Sequence, residues 1–309
     1  MPPASSLRRA VAALCLLSLI WAYNWIVMKE GLRYAAPVEF AALRCLPGAL
    51  LLFAVMAYLR RSLRPPAPLA LFWLGLFQTA GFTGFASLAL LAGAIGKTTV
   101  LVYAFPFWTL LIAWPVLGER IRGLQWAAIT LAGAGLVLVL EPWNLTGSIA
   151  SRVYAVLAGL SWALSAVIAK RWRGDPAFDL LSVTAWQMLW GGVVLWAVAW
   201  VMPAQPVMWS LEFAAILAYT LVLGTVCGWL LWLYILSHLS AGVASLSLLA
   251  VPALGVLLSR VHYGERPHAV EVAGMLLIAA SLALLSWLAS RDTRHAAAVK
   301  FSTVENTPQ

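Results

Sequence analysis

Aromatic side chains within long apolar runs are the residues of this sequence best suited to bind a small organic molecule. Trp21 and Trp162 each lie within such a run, and Tyr103 and Phe105 come just before Pro106 in another. Indole and phenyl rings pack against apolar or aromatic groups, and a helix-breaking proline frees a carbonyl that can bond a ligand amine. We predict that all five line a binding pocket, the alternative for each being ordinary core packing.

Neutral polar residues in the same runs are suited to recognise the polar end of such a molecule. They are Asn24, Gln78, Ser165 and Gln187. Amide and hydroxyl groups bind zwitterions, but they also form hydrogen bonds between membrane helices. Both interpretations remain open, and all four residues are included in the predicted substrate site.

The sequence does not bring together the residue types that catalysis or metal binding needs. Acidic residues and histidines fall at predicted helix ends or in the tail, and they include Glu30, Glu39, Glu119, Glu141, Glu212, Glu265, Asp175, Asp179, His238, His262, His268 and His295. Cys15, Cys45 and Cys227 lie in apolar segments without CxxC or Cys/His spacing. We therefore predict no catalytic residue, metal or cofactor, and no proton relay across the core.

Two local features have an ordinary structural interpretation. Gly96-Lys97-Thr98 lacks the first glycine of a phosphate-binding loop, because Leu91 stands in its place, so we reject ATP binding. Glu119, at the end of an apolar run, is expected to cap a helix or pair locally with the arginine that starts the next one.

The composition identifies the elements that must hold these residues. The chain has 309 residues, 63% hydrophobic and 10% charged, with a mean hydropathy of +0.91. A soluble domain is about 45–50% apolar and about 25% charged, and its core could not bury this much apolar surface. Runs long enough to cross a bilayer as helices lie at about 10–28, 38–59, 69–91, 98–117, 124–140, 153–169, 179–201, 213–236, 242–261 and 269–290. We predict an all-α membrane protein with ten transmembrane helices.

The basic residues orient the chain rather than bind nucleic acid. The net charge is +9, but the 20 Lys and Arg residues occur in short clusters between apolar runs. Most would lie on the side of Arg8 and Arg9 if the spans alternate, which predicts cytoplasmic N and C termini. The first run has no cleavage site after it and is interpreted as a retained helix.

Arg44 is the cation predicted to lie inside a span. A charge within the membrane is costly and is usually functional. The interpretation we favour is a packing arginine bonded to main-chain carbonyls or to Glu39. The alternative is a partner for a substrate carboxylate.

An internal repeat organises the chain. Residues 94–120 match residues 240–266, and every matched pair has the same separation in sequence. The pairs are Gly96 with Gly242, Pro106 with Pro252, and Gly-Glu-Arg at 118–120 with the same residues at 264–266. The segment ending at Lys29 likewise matches the segment ending at Lys170, which places Trp21 and Trp162 at equivalent positions.

Five helices in each half make the two copies enter the membrane from opposite sides. We predict two inverted repeats, 1–145 and 146–290, followed by a polar cytoplasmic tail at 291–309. Inverted repeats are a recurrent plan of secondary transporters, because near-equivalent halves can exchange conformations.

At these motifs the chain resembles the drug/metabolite transporter superfamily, in its ten-helix form with two EamA-type repeats. The resemblance covers about residues 10–290, and Trp21, Lys29, Arg44, Trp162 and Lys170 occupy positions typical of the family. Its aromatic-rich helices look most like the YddG branch of amino-acid exporters. Small multidrug exporters of the superfamily carry a carboxylate in the first helix, where this chain has Asn24, which argues against a drug-cation/proton antiporter.

These observations predict a secondary transporter that exports a small organic solute, with aromatic or other neutral amino acids favoured, by alternating access without ATP. Its partners would be this solute and the lipid bilayer of the plasma membrane, or the inner membrane of a Gram-negative bacterium. The alternatives are an exporter of another metabolite or amphiphilic drug and, less favoured, a membrane-embedded enzyme or a lipid scramblase. The sequence leaves the oligomeric state open.

Overall fold

A computed structural model describes most of the chain. The described residues are 4–92, 98, 101–121, 123–140, 149–172, 179–202, 205–251, 254, 258, 269–270, 272–281, 283–284 and 287–288. Some sequence predictions lie outside them, namely those on Gly96, Lys97, Glu141, Asp175, Pro252, His262, the second Gly-Glu-Arg motif at 264–266, His268, His295 and the tail at 291–309.

The described residues form helices and connecting loops, with no strand among them. The helices are α1 (Ala4–Gly31), α2 (Pro37–Tyr58), α3 (Pro68–Leu74, Gly75–Gly81 and Phe82–Ala92 in succession), α4 (Phe105–Leu117), α5 (Gln125–Leu140), α6 (Ile149–Arg171), α7 (Leu180–Val201), α8 (Leu211–Tyr219, Thr220–Cys227 and Gly228–His238 in succession), α9 (Ala241–Ser247) and α10 (Val272–Ser281).

Within the described ranges, six helices are long and apolar enough to cross a membrane: α1, α2, α3, α6, α7 and α8. They coincide with the apolar runs predicted between 10 and 91 and between 153 and 236, so the all-helical membrane fold is confirmed. Helices α4, α5 and α10 are apolar but shorter. Ten spans, inverted repeats and cytoplasmic termini stay predictions.

Local sequence sets several helix ends. Pro37 lies in the first turn of α2, where its missing N–H costs nothing. The Asp179 carboxylate accepts a hydrogen bond from Ser182 N at the start of α7, and the Ser210 hydroxyl accepts one from Phe213 N at the start of α8. Gly118 ends α4 with a φ of 67°, a left-handed conformation that glycine adopts without a Cβ clash.

Helices α3 and α8 each change to π-helical turns near their middle, at Gly75–Gly81 and Thr220–Cys227. The Thr225 hydroxyl donates to the Thr220 carbonyl, five residues earlier, at 2.7 Å. A π turn rotates the following side chains relative to a regular α-helix, and such turns often occur at functional sites.

Helices of the predicted first half pack mainly against helices of the second. α2 lies along α7, α1 along α8, and α3 and α4 along α6. Close approach is possible where glycines face a neighbour: a Cβ at Gly135 of α5 would lie 2.7 Å from the Gly274 carbonyl of α10. The core therefore lies between the two halves, where a site shared by both can form.

Candidate functional site: a central aromatic cavity

A small cavity lies in this core among α1, α2, α3, α6 and α8. Its lining residues are Trp21, Asn24, Trp25, Met28, Arg44, Phe82, Thr83, Ala86, Tyr103, Trp162, Gly224, Thr225 and Trp229. Its volume is about 30 Å³. A single water needs about 10–15 Å³, so this conformation encloses a space for about two waters. A larger ligand requires the lining to open.

One face of α1 supplies a large part of the lining. Trp21, Asn24, Trp25 and Met28 follow the spacing i, i+3, i+4 and i+7, which places them on one face of an α-helix. All four are at most 9% exposed. The signal that predicts Trp25 and Met28 as lining residues was therefore present in the sequence beside Trp21 and Asn24.

The indoles of the lining touch one another. Trp21 meets Trp162 edge to face, with ring centroids 5.3 Å apart, and it meets Trp229 in the same way at 5.3 Å. The Trp21 Nε1–H donates to the Gly224 carbonyl at 2.9 Å, which fixes the orientation of this indole. Trp21 and Trp162 thus leave no slot for a third ring between them in this conformation.

Of the predicted residues Tyr103, Phe105 and Pro106, Tyr103 alone belongs to the lining. Its hydroxyl accepts a hydrogen bond from Trp25 Nε1 at 3.1 Å. Phe105 is buried behind Trp162, and Pro106 is buried in the first turn of α4. There, at the start of a helix, the proline interrupts no hydrogen-bond ladder.

The predicted polar residues divide into two locations. Asn24 lines the cavity, donates from Nδ2 to the Met28 sulfur at 3.2 Å, and has no hydrogen-bond partner for Oδ1 among the described residues. Gln78, Ser165 and Gln187 are fully buried outside the lining.

Two of these outer residues are bonded within the helix bundle. Ser165 donates to the Trp162 carbonyl at 2.7 Å, and Gln187 accepts from the Thr79 hydroxyl at 2.5 Å. Neither amide atom of Gln78 has a partner in the part of the chain that the structure describes. The structure therefore brings Trp21, Asn24, Tyr103 and Trp162 together and places the other five predicted residues around them.

Sequence reasoning missed the lining residues contributed by α3 and α8. These are Phe82, Thr83, Ala86, Gly224, Thr225 and Trp229. Phe82 and Gly228 directly follow the π-helical segments, so α-helical periodicity misjudges which faces of α3 and α8 point to the core. Thr83 donates its hydroxyl to the Thr79 carbonyl.

Arg44 lines the cavity and is only 3% exposed. Its Nη1 donates to the Met28 sulfur at 3.4 Å, and its Nε has no partner among the described residues. The favoured sequence interpretation, a bond to main-chain carbonyls or Glu39, is not what the structure shows. Among the described residues the guanidinium has no strong acceptor, because helix α2 directs it toward Met28 and the cavity rather than toward Glu39.

The two ends of the helix bundle differ. We call the end of the bundle where α6 ends the Lys170 end. Lys170 is 7% exposed there, and its ammonium donates to the Leu236 carbonyl at 2.5 Å and to the Leu239 carbonyl. Glu119 accepts hydrogen bonds from the main-chain N–H groups of Ala241 and Gly242, at 3.2 and 3.3 Å. Glu119 does cap a helix, but the helix is the distant α9, because the chain fold places α9 against the end of α4.

The opposite end, here the Glu39 end, has a vestibule of about 780 Å³ lined by the α1–α2 and α7–α8 connections and by Glu39 and Leu88. At its rim the hydrogen bond with Glu212 raises the pKa of Tyr34. The hydrogen bond with Glu30 raises the pKa of Arg33. Near neutral pH the rim therefore keeps a neutral phenol and a cationic guanidinium.

Comparison with known proteins decides the family. The model of the EamA-like transporter family matches residues 8–141 and again residues 151–287. The chain belongs to the EamA-like transporter family. Membership extends over both predicted halves, and both halves line the cavity, the first with α1, α2 and α3 and the second with α6 and α8.

Several relatives of this EamA-like transporter are named as transporters or efflux pumps. A probable amino-acid metabolite efflux pump of Salmonella typhimurium is 29% identical over 86% of this chain and 91% of its own. An uncharacterized inner membrane transporter, YedA, of Escherichia coli is 25% identical over 89% of each chain. A solved crystal structure matches with a TM-score of 0.75 at 20% identity, covering 92% of this chain and 98% of that one, which shows a shared fold.

The family match and the membrane-length helices together establish the class of protein. This EamA-like transporter is a membrane transporter of the drug/metabolite transporter superfamily and an integral protein of the plasma membrane. Its family implies a small-molecule substrate and a lipid environment. The family is one of transporters, and several relatives are named as transporters; that this protein is not an enzyme stays a prediction.

Proposed function

We propose that this protein exports a small organic solute, with aromatic or other neutral amino acids favoured, by alternating access without ATP. The observation that supports it best is the contrast between the two ends of the bundle. At the Lys170 end, buried and half-buried hydrogen bonds join neighbouring helix ends, whereas the Glu39 end has a vestibule of about 780 Å³. The central cavity lies between them.

The proposed inverted repeats give this contrast a mechanism. Lys29 ends α1 as Lys170 ends α6, yet Lys29 is exposed and Lys170 is buried. The proposed symmetry also exchanges the α1–α8 contact with the α3–α6 contact. In the opposite state Lys29 would close the Glu39 end and Lys170 would be released. The two states would have similar energies because the halves are near-equivalent.

An aromatic or apolar amino acid fits the chemistry of the cavity wall. Indole rings supply large flat surfaces, and neutral polar groups such as Asn24 supply hydrogen bonds. The name of one relative, a probable amino-acid metabolite efflux pump, favours the same class. So does the resemblance to the YddG branch. We extend the substrate class to this chain on that basis.

Transport down a gradient is the simplest energetic scheme. The described lining contains Arg44 but no Asp, Glu or His. A side chain that exchanges protons near neutral pH would be one of those three types, or a strongly perturbed group of another type. We propose facilitated diffusion, with proton coupling as the alternative that the transport assay must separate.

Counterflow in proteoliposomes tests the proposal. Vesicles loaded with excess unlabelled tryptophan or threonine receive labelled substrate outside, with and without a pH gradient, and protein-free vesicles are the control. Saturable entry without a gradient is expected. Entry that requires a pH gradient would support a carrier but would replace facilitated diffusion by proton coupling. No entry of any amino acid would refute the substrate class and leave another metabolite or an amphiphilic drug as the candidate.

A further inference from the structure

We infer that Arg44 binds a carboxylate group of the solute, so that the central cavity selects apolar or aromatic organic carboxylates. The inference rests on the proposed function, because it names the substrate class of the same cavity. It is carried by the burial of Arg44, by the bonds that its guanidinium lacks, and by the arrangement of the lining around it.

Arg44 is a buried cation without a counter-ion among the described residues. Its exposed fraction is 3%, and the sulfur of Met28 is a weak acceptor at 3.4 Å. The ion pairs in the described chain join Arg33 to Glu30 and Arg61 to Asp179. A charge buried in the membrane is costly unless paired, so an anion in the cavity would gain most by binding here.

The guanidinium of this lining residue has unused hydrogen-bonding capacity. Its Nε has no partner in the described part of the chain. A guanidinium carries five N–H donors in a planar fork that fits a carboxylate with two parallel hydrogen bonds. A carboxylate is therefore the ligand group that matches both its charge and its geometry.

The lining separates a polar end from an aromatic end. Arg44 reaches Met28 on α1, whereas Trp21, seven residues earlier on α1, contacts Trp162 and Trp229. Seven residues of α-helix span about 10 Å, so an elongated ligand could place its carboxylate on Arg44 and its apolar part among the indoles.

The charges of the lining residues indicate which charged group of an amino acid is needed for binding. Within the described lining Arg44 is cationic and no residue is an acid. Glu39 lines the vestibule instead and forms no ion pair with Arg44. An ammonium group would find the unpartnered Oδ1 of Asn24 as its acceptor. We therefore expect the carboxylate to be required for binding and the ammonium to be dispensable.

A matched ligand series tests this on purified wild-type protein in detergent by isothermal titration calorimetry. The probes are 3-phenylpropionate, L-phenylalanine and 2-phenylethylamine, which share the ring and differ in charge. Both carboxylates should bind. The affinity of the amine should be lower by about 10-fold or more, since it lacks the charge-assisted interaction between carboxylate and guanidinium. Equal binding of the amine, or no binding of either carboxylate, would overturn the inference.

Variants test whether Arg44 causes the preference for carboxylates. Arg44→Gln should weaken 3-phenylpropionate binding by about 10-fold or more, and Arg44→Lys should fall between it and the wild type, because a lysine keeps the charge but not the fork. Arg61→Gln removes an exposed arginine that lines neither the cavity nor the vestibule, so it is the matched control and should bind normally. Size-exclusion profiles establish folding. If Arg44→Gln aggregates, the affinity of Arg44→Lys and the wild-type ligand series test the inference instead.

A negative result in the binding assay and a negative result in the counterflow assay have different consequences. Carboxylate binding that depends on Arg44 without any counterflow would uphold this site and refute transport of that class. Saturable counterflow of tryptophan that is unchanged in folded Arg44→Gln would uphold the transporter and refute this role of Arg44.

Discussion

Phe105 and Trp162 stack face to face, with ring centroids 3.8 Å apart and planes inclined by 11°. Both side chains are buried, and Trp162 also contacts Trp21 at the cavity wall. The start of α4 is therefore joined to the middle of α6 through the same indole that lines the cavity. Movement of α4 against α6 must change the shape of the cavity, because the Trp162 ring belongs to both contacts.

Replacing Trp162 with Ala should abolish transport while leaving the amount of protein in the membrane unchanged. The indole forms the wall between Trp21 and Phe105, so its loss opens the cavity and removes a large apolar surface. Counterflow and membrane immunoblots measure the two effects. Trp200→Ala, at an indole that is 89% exposed, is the control and should transport normally. Persisting transport in Trp162→Ala would contradict the central-cavity assignment.

Lys170→Met should open the Lys170 end and shift the population away from the present conformation. It removes the ammonium that donates to the Leu236 and Leu239 carbonyls, and hydrogen bonds to charged groups contribute about 1.5–3 kcal/mol each. Labelling of Leu88→Cys in the vestibule by an impermeant maleimide, after Cys15, Cys45 and Cys227 are replaced by Ser, should slow by about 10-fold.

The control for this experiment is Arg61→Gln, which breaks the exposed pair with Asp179. An exposed ion pair contributes about 0–1 kcal/mol, so labelling should change little. If Lys170→Met leaves the labelling rate unaltered, the buried lysine does not hold this end closed.

Gly191→Ala should destabilise the contact of α7 with α3. A Cβ at this position would collide with the Thr79 side chain and lie 2.5 Å from the Gly75 carbonyl. Overpacking of this kind costs about 1–3 kcal/mol, which should lower the apparent melting temperature in detergent. Gly133→Ala is the matched control, since its nearest neighbour is the outer edge of the Phe107 ring at 3.2 Å rather than main-chain atoms. Equal melting temperatures would show that α7 moves away at little cost.

Glu119→Ala should weaken the junction of α4 with α9. The carboxylate accepts hydrogen bonds from Ala241 N and Gly242 N, so its removal leaves the first turn of α9 without this cap. Loss of a helix cap costs about 0.5–2 kcal/mol. Glu30→Gln, in an exposed pair with Arg33, should cost less by the same thermal measurement. The reverse order would contradict the capping role.

The chemistry of Trp21, Asn24, Tyr103 and Trp162 was predictable because each is an aromatic or polar residue in an apolar run. The predicted repeat places Trp21 and Trp162 at equivalent positions, and Asn24 lies one helical turn from Trp21 on α1; all three belong to the lining. Gln78, Ser165 and Gln187 have the same residue types but different surroundings, since residue type does not state which side of a helix faces the cavity.

The sequence by itself determined the class of the protein, since an apolar run of about 20 residues is stable in a bilayer only as a helix that satisfies its own main chain. It also determined the helix positions between 10 and 91 and between 153 and 236. The tertiary structure decided that Arg44 faces Met28 and that Glu119 caps α9. It also placed Phe82 and Trp229 in the cavity. These relations depend on π-helical rotations and on contacts between residues distant in sequence, which local periodicity does not encode.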